Sequence, residues 1–255
     1  VEERNPIQSK IKRVGVDAAF LKILVYGKSG VGKTVFSSTA PKPLFINADR
    51  SLLSVADKKV DAIDLNNFLG MNEIFWYLQS GKHPYKTVVL DGFGEIQKKS
   101  MDTILRNVVK AKPSRDPDIP SKNDWGKNTE QLRKVVRAFR DLPMHVIFTC
   151  LERVEKDEND IIESVSPAVT PRLGDDLESS VDIIGYLFVQ SVSKGSTEKG
   201  SETEKKVVRR LLVQPFGKFL AKDRSGTLGD VIDEPTFPKI LDLVIKGKKQ
   251  KTKEE

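Results

Sequence analysis

Cysteine is all but missing from the chain: Cys150 is the only one in 255 residues. A lone thiol excludes an intrachain disulfide and any metal cluster built from several cysteines. Histidine is nearly as scarce. His83 and His145 stand far apart without metal-ligand spacing, so each reads as an ordinary surface or core residue. Long apolar runs are absent too, since none approaches the roughly 18 residues that a membrane-spanning helix needs. The first residues, Val1-Glu2-Glu3-Arg4-Asn5-Pro6, lack the apolar segment of a signal peptide. No internal repeat is visible. These absences lead to the expectation of a reducing, cytoplasmic setting with no membrane partner.

What is present suits one α/β domain. Hydrophobic residues make up 38% of the chain, enough for a sizeable core. Lysine and arginine total 43 against 36 acids, a net charge of +7 that favours an anionic partner. The excess is local, with Lys246, Lys248, Lys249, Lys251 and Lys253 crowding the end and Arg4, Lys10, Lys12 and Arg13 near the start. A solvated, frayed tail and a nucleic-acid contact both explain the C-terminal cluster. The organisation expected is an N-terminal arm (1–19), a core (20–245) and a basic tail (246–255).

Hydrophobic patterning predicts buried strands at 20–26, 43–48, 85–90 and 144–149, with a weaker one at 60–65. Helices are predicted at 68–80, 93–110 and 125–142, the last from Leu132, Val135, Val136 and Phe139 at helical spacing. Three prolines and mixed charge make 111–124 a loop. Strands alternating with helices imply a mostly parallel sheet covered on both faces. After residue 150 the pattern turns to hairpins, 151–154 with 161–165 and 183–192 with 206–213, the second around a long polar turn at 194–204. A short helix is expected at 237–245. Trp76 and Tyr77 read as core, Cys150 as a buried small hydrophobe, and Trp125 as a helix-start packing residue or a base-stacking one.

One segment carries specific chemistry. Gly27-Lys28-Ser29-Gly30-Val31-Gly32-Lys33-Thr34, followed by Val35, has the spacing of a phosphate-binding P-loop between an apolar strand and a helix. Its glycines let successive N–H groups point at phosphate oxygens, Lys33 adds a cation toward the β- and γ-phosphates, and Thr34 offers a hydroxyl to Mg²⁺. The expected ligand is therefore ATP with Mg²⁺. Thr87-Val88-Val89-Leu90-Asp91 supplies a carboxylate at a strand end, the second metal-holding element. Attack by water also needs an orienting acid. The position after Asp91, where many P-loop ATPases carry glutamate, is Gly92. Asp49, at the end of the next strand, and Glu95 are the two candidates.

Several of these pieces resemble RecA-type recombinases. Phe45-Ile46-Asn47-Ala48-Asp49-Arg50-Ser51-Leu52 looks like the stretch that carries their catalytic acid, with Asp49 in place of glutamate. Val88-Val89-Leu90-Asp91-Gly92-Phe93 is similar to their metal strand, and Val146-Ile147-Phe148-Thr149-Cys150 to the strand that senses the γ-phosphate, with Thr149 in place of the usual amide. Ala221-Lys222-Asp223-Arg224-Ser225-Gly226 resembles a segment of RecA-fold ring motors whose lysine and arginine reach a neighbour's γ-phosphate. The regions 111–123 and 151–173 take the places of RecA's DNA-binding loops, which implicates Lys110, Lys112, Arg115 and Lys122.

Over roughly 20–230 the arrangement most resembles the short RecA-like ATPases of bacteriophages that act in single-strand annealing and recombination. That resemblance implies a RecA-like P-loop core with a β-rich C-terminal extension and an ATPase that assembles into a ring or filament. It also implies single-stranded DNA, further copies of the chain and a single-strand DNA-binding protein as partners. An ATP-switched binding module with negligible turnover, a ring motor or helicase, and a small-molecule kinase stay open as other readings.

Overall fold

The computed structural model describes residues 20–193 and 205–254. The expected arm at 1–19 and the polar turn at 194–204 lie outside the described residues. A short apolar strand, β1 (Lys22–Gly27), leads into α1 (Lys33–Ser38). Then come β2 (Pro43–Asn47), a 3₁₀ turn (Leu53–Lys58), β3 (Asp61–Asp64) and α2 (Gly70–Gln79). β4 (Thr87–Asp91) runs into α3 (Phe93–Ala111), and α4 (Lys122–Arg140) into β5 (His145–Lys156). β6 (Ile162–Pro167), α5 (Pro171–Ser180), β7 (Ile183–Ser193) and β8 (Lys205–Leu212) follow. β9 (Lys222–Asp223), β10 (Val231–Asp233) and α6 (Phe237–Glu254) complete the chain.

The sheet order is β10-β8-β7-β1-β5-β4-β2-β3. From β7 to β3 every neighbouring pair is parallel; β8 and β10 continue the edge antiparallel. β1 is buried along its whole length, which explains why its residues are apolar without alternation. Ile23 and Val25 meet Phe36 of α1 and Phe237, Ile240 and Val244 of α6 on one face. Leu24 and Tyr26 meet Phe93 of α3 and Leu132 and Val136 of α4 on the other. Helices on both faces of a mostly parallel sheet, with a β-rich C-terminal extension, make this the α/β architecture expected.

Four local expectations are corrected. Trp76 and Tyr77 are 61% and 43% exposed, because the buried stripe of α2 is Met71, Ile74 and Leu78. α4 starts three residues before Trp125, where Ser121 and Asp124 form a reciprocal capping box. α5 was not foreseen; Pro171 opens it and Leu173 and Leu177 bury one face. The basic C-terminal segment continues α6 to Glu254 rather than fraying from Lys246.

The parallel strands all end at one edge, and Gly27 brings β1 to it against β7. A Cβ on Gly27 would lie 2.3 Å from the Leu187 carbonyl oxygen, and its φ of 153° lies outside the range side chains favour. Backbone cannot move aside as a flexible side chain can. Gly27→Ala is therefore expected to destabilise the fold by about 2–4 kcal/mol. A lowered urea midpoint with unchanged slope would register this; an unchanged midpoint would contradict the close approach.

Candidate active site

The carboxyl ends of β1, β2, β4 and β5 converge where open α/β sheets receive ligands. β1 delivers the phosphate loop, whose last glycine, Gly32, precedes α1. β4 delivers Asp91, which is 2% exposed. Three chain segments meet on its carboxylate. The Thr34 hydroxyl donates to Oδ2 at 3.1 Å and the Thr149 hydroxyl to Oδ1 at 2.6 Å. Thr149 Oγ1 also accepts the Gly92 N–H at 2.9 Å, so it fixes the turn as well as the acid.

Burial pushes the Asp91 carboxyl above its ordinary range, and the nearby charge of Asp49 adds to this. The two threonine hydroxyls and Lys33 oppose the shift without cancelling it. Lys33 extends along its own loop, donating to the carbonyls of Gly27 at 3.0 Å and Lys28 at 2.7 Å. Burial lowers its pKa, against the pull of Asp91, Glu152 and Asp49. A carboxylate and a hydroxyl at the end of a phosphate loop are oxygen donors suited to a hard divalent cation. Among the described residues no group of three or more His, Cys, Asp or Glu could hold a metal alone. That donor set fits Mg²⁺ held jointly with nucleotide phosphates: Thr34 and Asp91 would hold it, and it would supply charge neutralisation.

Asp49 stands two residues past the end of β2. A Cβ at Gly92 would be 3.4 Å from Cβ, Cγ and Oδ2 of Asp49, so the missing side chain at 92 leaves room that the Asp49 carboxylate borders. Glu95, on the first turn of α3, is ion-paired with Lys98 at 2.6 Å. Of the two acids, Asp49 lines the cleft of about 560 Å³ formed with Gly30, Lys33, Thr34 and Asp91. Both acids line an adjoining groove of about 670 Å³.

That groove shares Ser29, Asp49, Gly92 and Leu151 with the cleft. Trp125, 42% exposed, lines it, as do Gln97 and Thr170. The Gln97 amide donates to Asn128 Oδ1 at 3.2 Å and Thr170 Oγ1 at 3.0 Å, and accepts the Thr170 N–H at 3.3 Å. This buried lock joins α3, α4 and the turn before α5.

The remaining expected residues lie elsewhere. Lys110 lines a hollow with Asp102 and Arg106, and Asp102 also borders the groove. Lys112 and Lys122 are exposed. Arg115 is not a free loop cation, because its guanidinium grips the buried Asp124. Lys222 donates to the Glu178 carbonyl, and Arg224 to the Ser179 carbonyl at 3.0 Å and Asp182 Oδ1 at 3.4 Å. Both therefore rest on the C-terminal end of α5, outside the cleft of their own chain. Arg209, from β8, does line the cleft and was missed by sequence reading. It sits in a strand of paired like residues, Lys205-Lys206-Val207-Val208-Arg209-Arg210-Leu211-Leu212, with no motif around it.

A glycine-rich loop between a strand and a helix, with a buried carboxylate two strands along the sheet, is the layout of a nucleotide-binding P-loop domain. A model of the AAA domain matches residues 19–225. The chain belongs to the AAA domain family. By family, then, it is a P-loop ATPase. No curated protein matches the chain. Among solved structures, it is similar to the flagellar accessory protein FlaH from Methanocaldococcus jannaschii, at 8% identity and TM-score 0.42 over 92% of this chain and 93% of that one. A KaiC-like protein from the hyperthermophilic archaeon Pyrococcus horikoshii matches at 13% identity and TM-score 0.42, over 77% of this chain and 81% of that one. Among the described residues of this AAA domain, no helix is long and apolar enough to cross a membrane.

The raised Asp91 pKa has a consequence for stability. The fold disfavours the ionised carboxyl relative to the unfolded chain, so its penalty is absent below the ordinary carboxylate pKa and complete above the raised folded value. Asp91→Asn removes the charge and keeps the shape. The ligand-free variant is expected to melt at a higher temperature than the parent at alkaline pH, while its Mg²⁺-dependent nucleotide binding is lost. A lower melting temperature there would show that the threonine hydrogen bonds outweigh burial.

Proposed function

We propose that this AAA domain hydrolyses ATP, binds single-stranded DNA beside the nucleotide and works as an oligomer in annealing or homologous recombination. The observation that carries the reading is the nucleotide cleft opening into the groove of Trp125. A ligand in that groove would lie against Asp49, Gly92 and Leu151, which also line the P-loop cleft, so its binding and nucleotide turnover would be coupled. The groove mixes signs, with Asp49, Glu95 and Asp102 against Lys98 and Arg153. Base stacking on Trp125 would therefore supply its affinity, and Lys110, Lys112 and Lys122 would meet the strand's phosphates. This is the role of the phage RecA-like annealing proteins that the motifs resemble.

Within the cleft, Asp49 is assigned the water-orienting role because it alone of the two acids reaches the phosphate side, while Glu95 is occupied by Lys98. Thr149 holds Asp91 and the Gly92 turn, so it would sense the terminal phosphate through that carboxylate. Turnover measured with and without single-stranded DNA tests the whole reading: DNA is expected to raise the rate, and the rate per subunit to rise with concentration. Asp49→Asn should keep ATP binding and cut hydrolysis by orders of magnitude, with Glu95→Gln milder. The reverse ranking would move the role to Glu95. A flat, near-zero rate in the parent would instead mark an ATP-switched binding module.

Lys222 and Arg224, displayed away from their own cleft, are assigned to a neighbour's γ-phosphate. Arg224→Ala should bind ATP yet lose turnover by about 10³-fold, as when an arginine finger is removed. Mixed with Lys33→Ala, which keeps its finger but lacks a working phosphate loop, it should recover partial activity that vanishes on dilution. Mixed oligomers that stay inactive would return both residues to the role they have here, tying β9 to the end of α5.

A further inference from the structure

The strand order gives the phosphate loop two flanks. Asp91 on β4 and Thr149 on β5 lie to one side of β1, whereas β7 and then β8 lie to the other. From that second flank the Arg209 side chain crosses to the loop. Its Nε donates to the Val31 carbonyl at 3.2 Å. A Cβ on Gly32 would stand 2.8 Å from the same nitrogen, so the absence of a side chain at 32 is what lets the guanidinium sit down on the loop. Among the described residues only Nε is engaged; the terminal nitrogens have no hydrogen bond or ion pair. Its neighbour Arg210 is the contrast, held by Asp233 at 2.8 Å and Gln190 at 2.8 Å on the other face of β8.

An arginine anchored through Nε, with the rest of its fork open to a cleft lined by phosphate-binding backbone, is a preorganised anion ligand. Which phosphate it meets follows from the flanks. Thr34 and Asp91 would hold the metal-bound, terminal end of a nucleotide on the β4 side. Its nucleoside end would then lie toward β8, where Arg209 lines the cleft. We propose that Arg209 is an in-chain ligand of the α-phosphate, shared by nucleoside di- and triphosphates. The proposal rests on the P-loop reading above. It differs from the pair Lys222 and Arg224 in acting within one chain and on the end of the nucleotide that does not react.

Equilibrium binding of ATP, ADP and GDP to the parent, Arg209→Gln, Arg209→Lys and Lys33→Ala tests it. Arg209→Gln should weaken ATP and ADP by the same factor, about tenfold or more for a lost charged hydrogen bond. Because a phosphate is gripped and not a base, GDP should lose as much as ADP. Arg209→Lys should recover most of the affinity through its charge, although it cannot reproduce the fork. Ligand-free melting temperatures should match the parent in both variants. Recovery by Gln, which can still donate to Val31, would show a merely structural brace and overturn the proposal. Loss confined to ATP would place Arg209 on the γ-phosphate, and loss confined to adenine nucleotides would place it on the base; either also overturns it. Lys33→Ala separates the two levels. If it loses binding while Arg209→Gln does not, this proposal alone fails; a parent that binds no nucleotide overturns the P-loop reading and this proposal together.

Discussion

The Asp91 carboxylate holds the two halves of the site together. It receives one hydroxyl from the helix after the phosphate loop and another from β5. One hydroxyl follows β1 and the other stands on β5, the strand paired with both β1 and β4. An unpartnered charge in that interior would be expelled or neutralised. Each charge-assisted hydrogen bond contributes about 1.5–3 kcal/mol toward keeping it. The balance still leaves the ionised form disfavoured, which is the condition under which an arriving divalent cation changes most.

Around that point the charges are sorted by side. Acids gather at the metal flank, where Asp49 borders the space left by Gly92 and Glu95 is neutralised by Lys98. Cations gather along the loop, with Lys33 on its inner carbonyls and Arg209 on its outer one. With a divalent cation held by Asp91, a polyphosphate would place its metal-bound end there and its other end toward Arg209. The glycines at 32 and 92 matter here for the volume they leave empty, one for Arg209 and the other for Asp49.

Most of this core was legible because it depends on local rules. A buried parallel strand must be apolar throughout, and a phosphate loop must carry glycines and lysine at fixed offsets, so β1, β4, Lys33, Thr34 and Asp91 were all marked. Arg209 was not marked because its role depends on β8 lying two strands from β1, a fact of topology that no short window contains. Trp76 and Tyr77 misled for the opposite reason. They are apolar and helical, but the face they fall on is set by Met71, Ile74 and Leu78, and one residue of phase separates core from surface. α5 hid in plain view, since Pro171, Leu173 and Leu177 together are a helix start that the surrounding hairpin pattern obscured.

The Gln97 lock has a mechanical meaning. α3 starts two residues after Asp91 and extends for 19 residues, about 28 Å at 1.5 Å per residue. Gln97 and then Ser100, whose hydroxyl donates to Gln131 Oε1 of α4, bond it within roughly 11 Å of its start. About 17 Å of helix lies beyond the second of these bonds. A tilt of α3 about these bonds would carry its far tip further than its start. That tip is Lys110 and Ala111, where the chain enters the loop clamped by Arg115 to Asp124. The coupling open to the Asp91 turn and that loop is set by where two polar side chains sit along one helix.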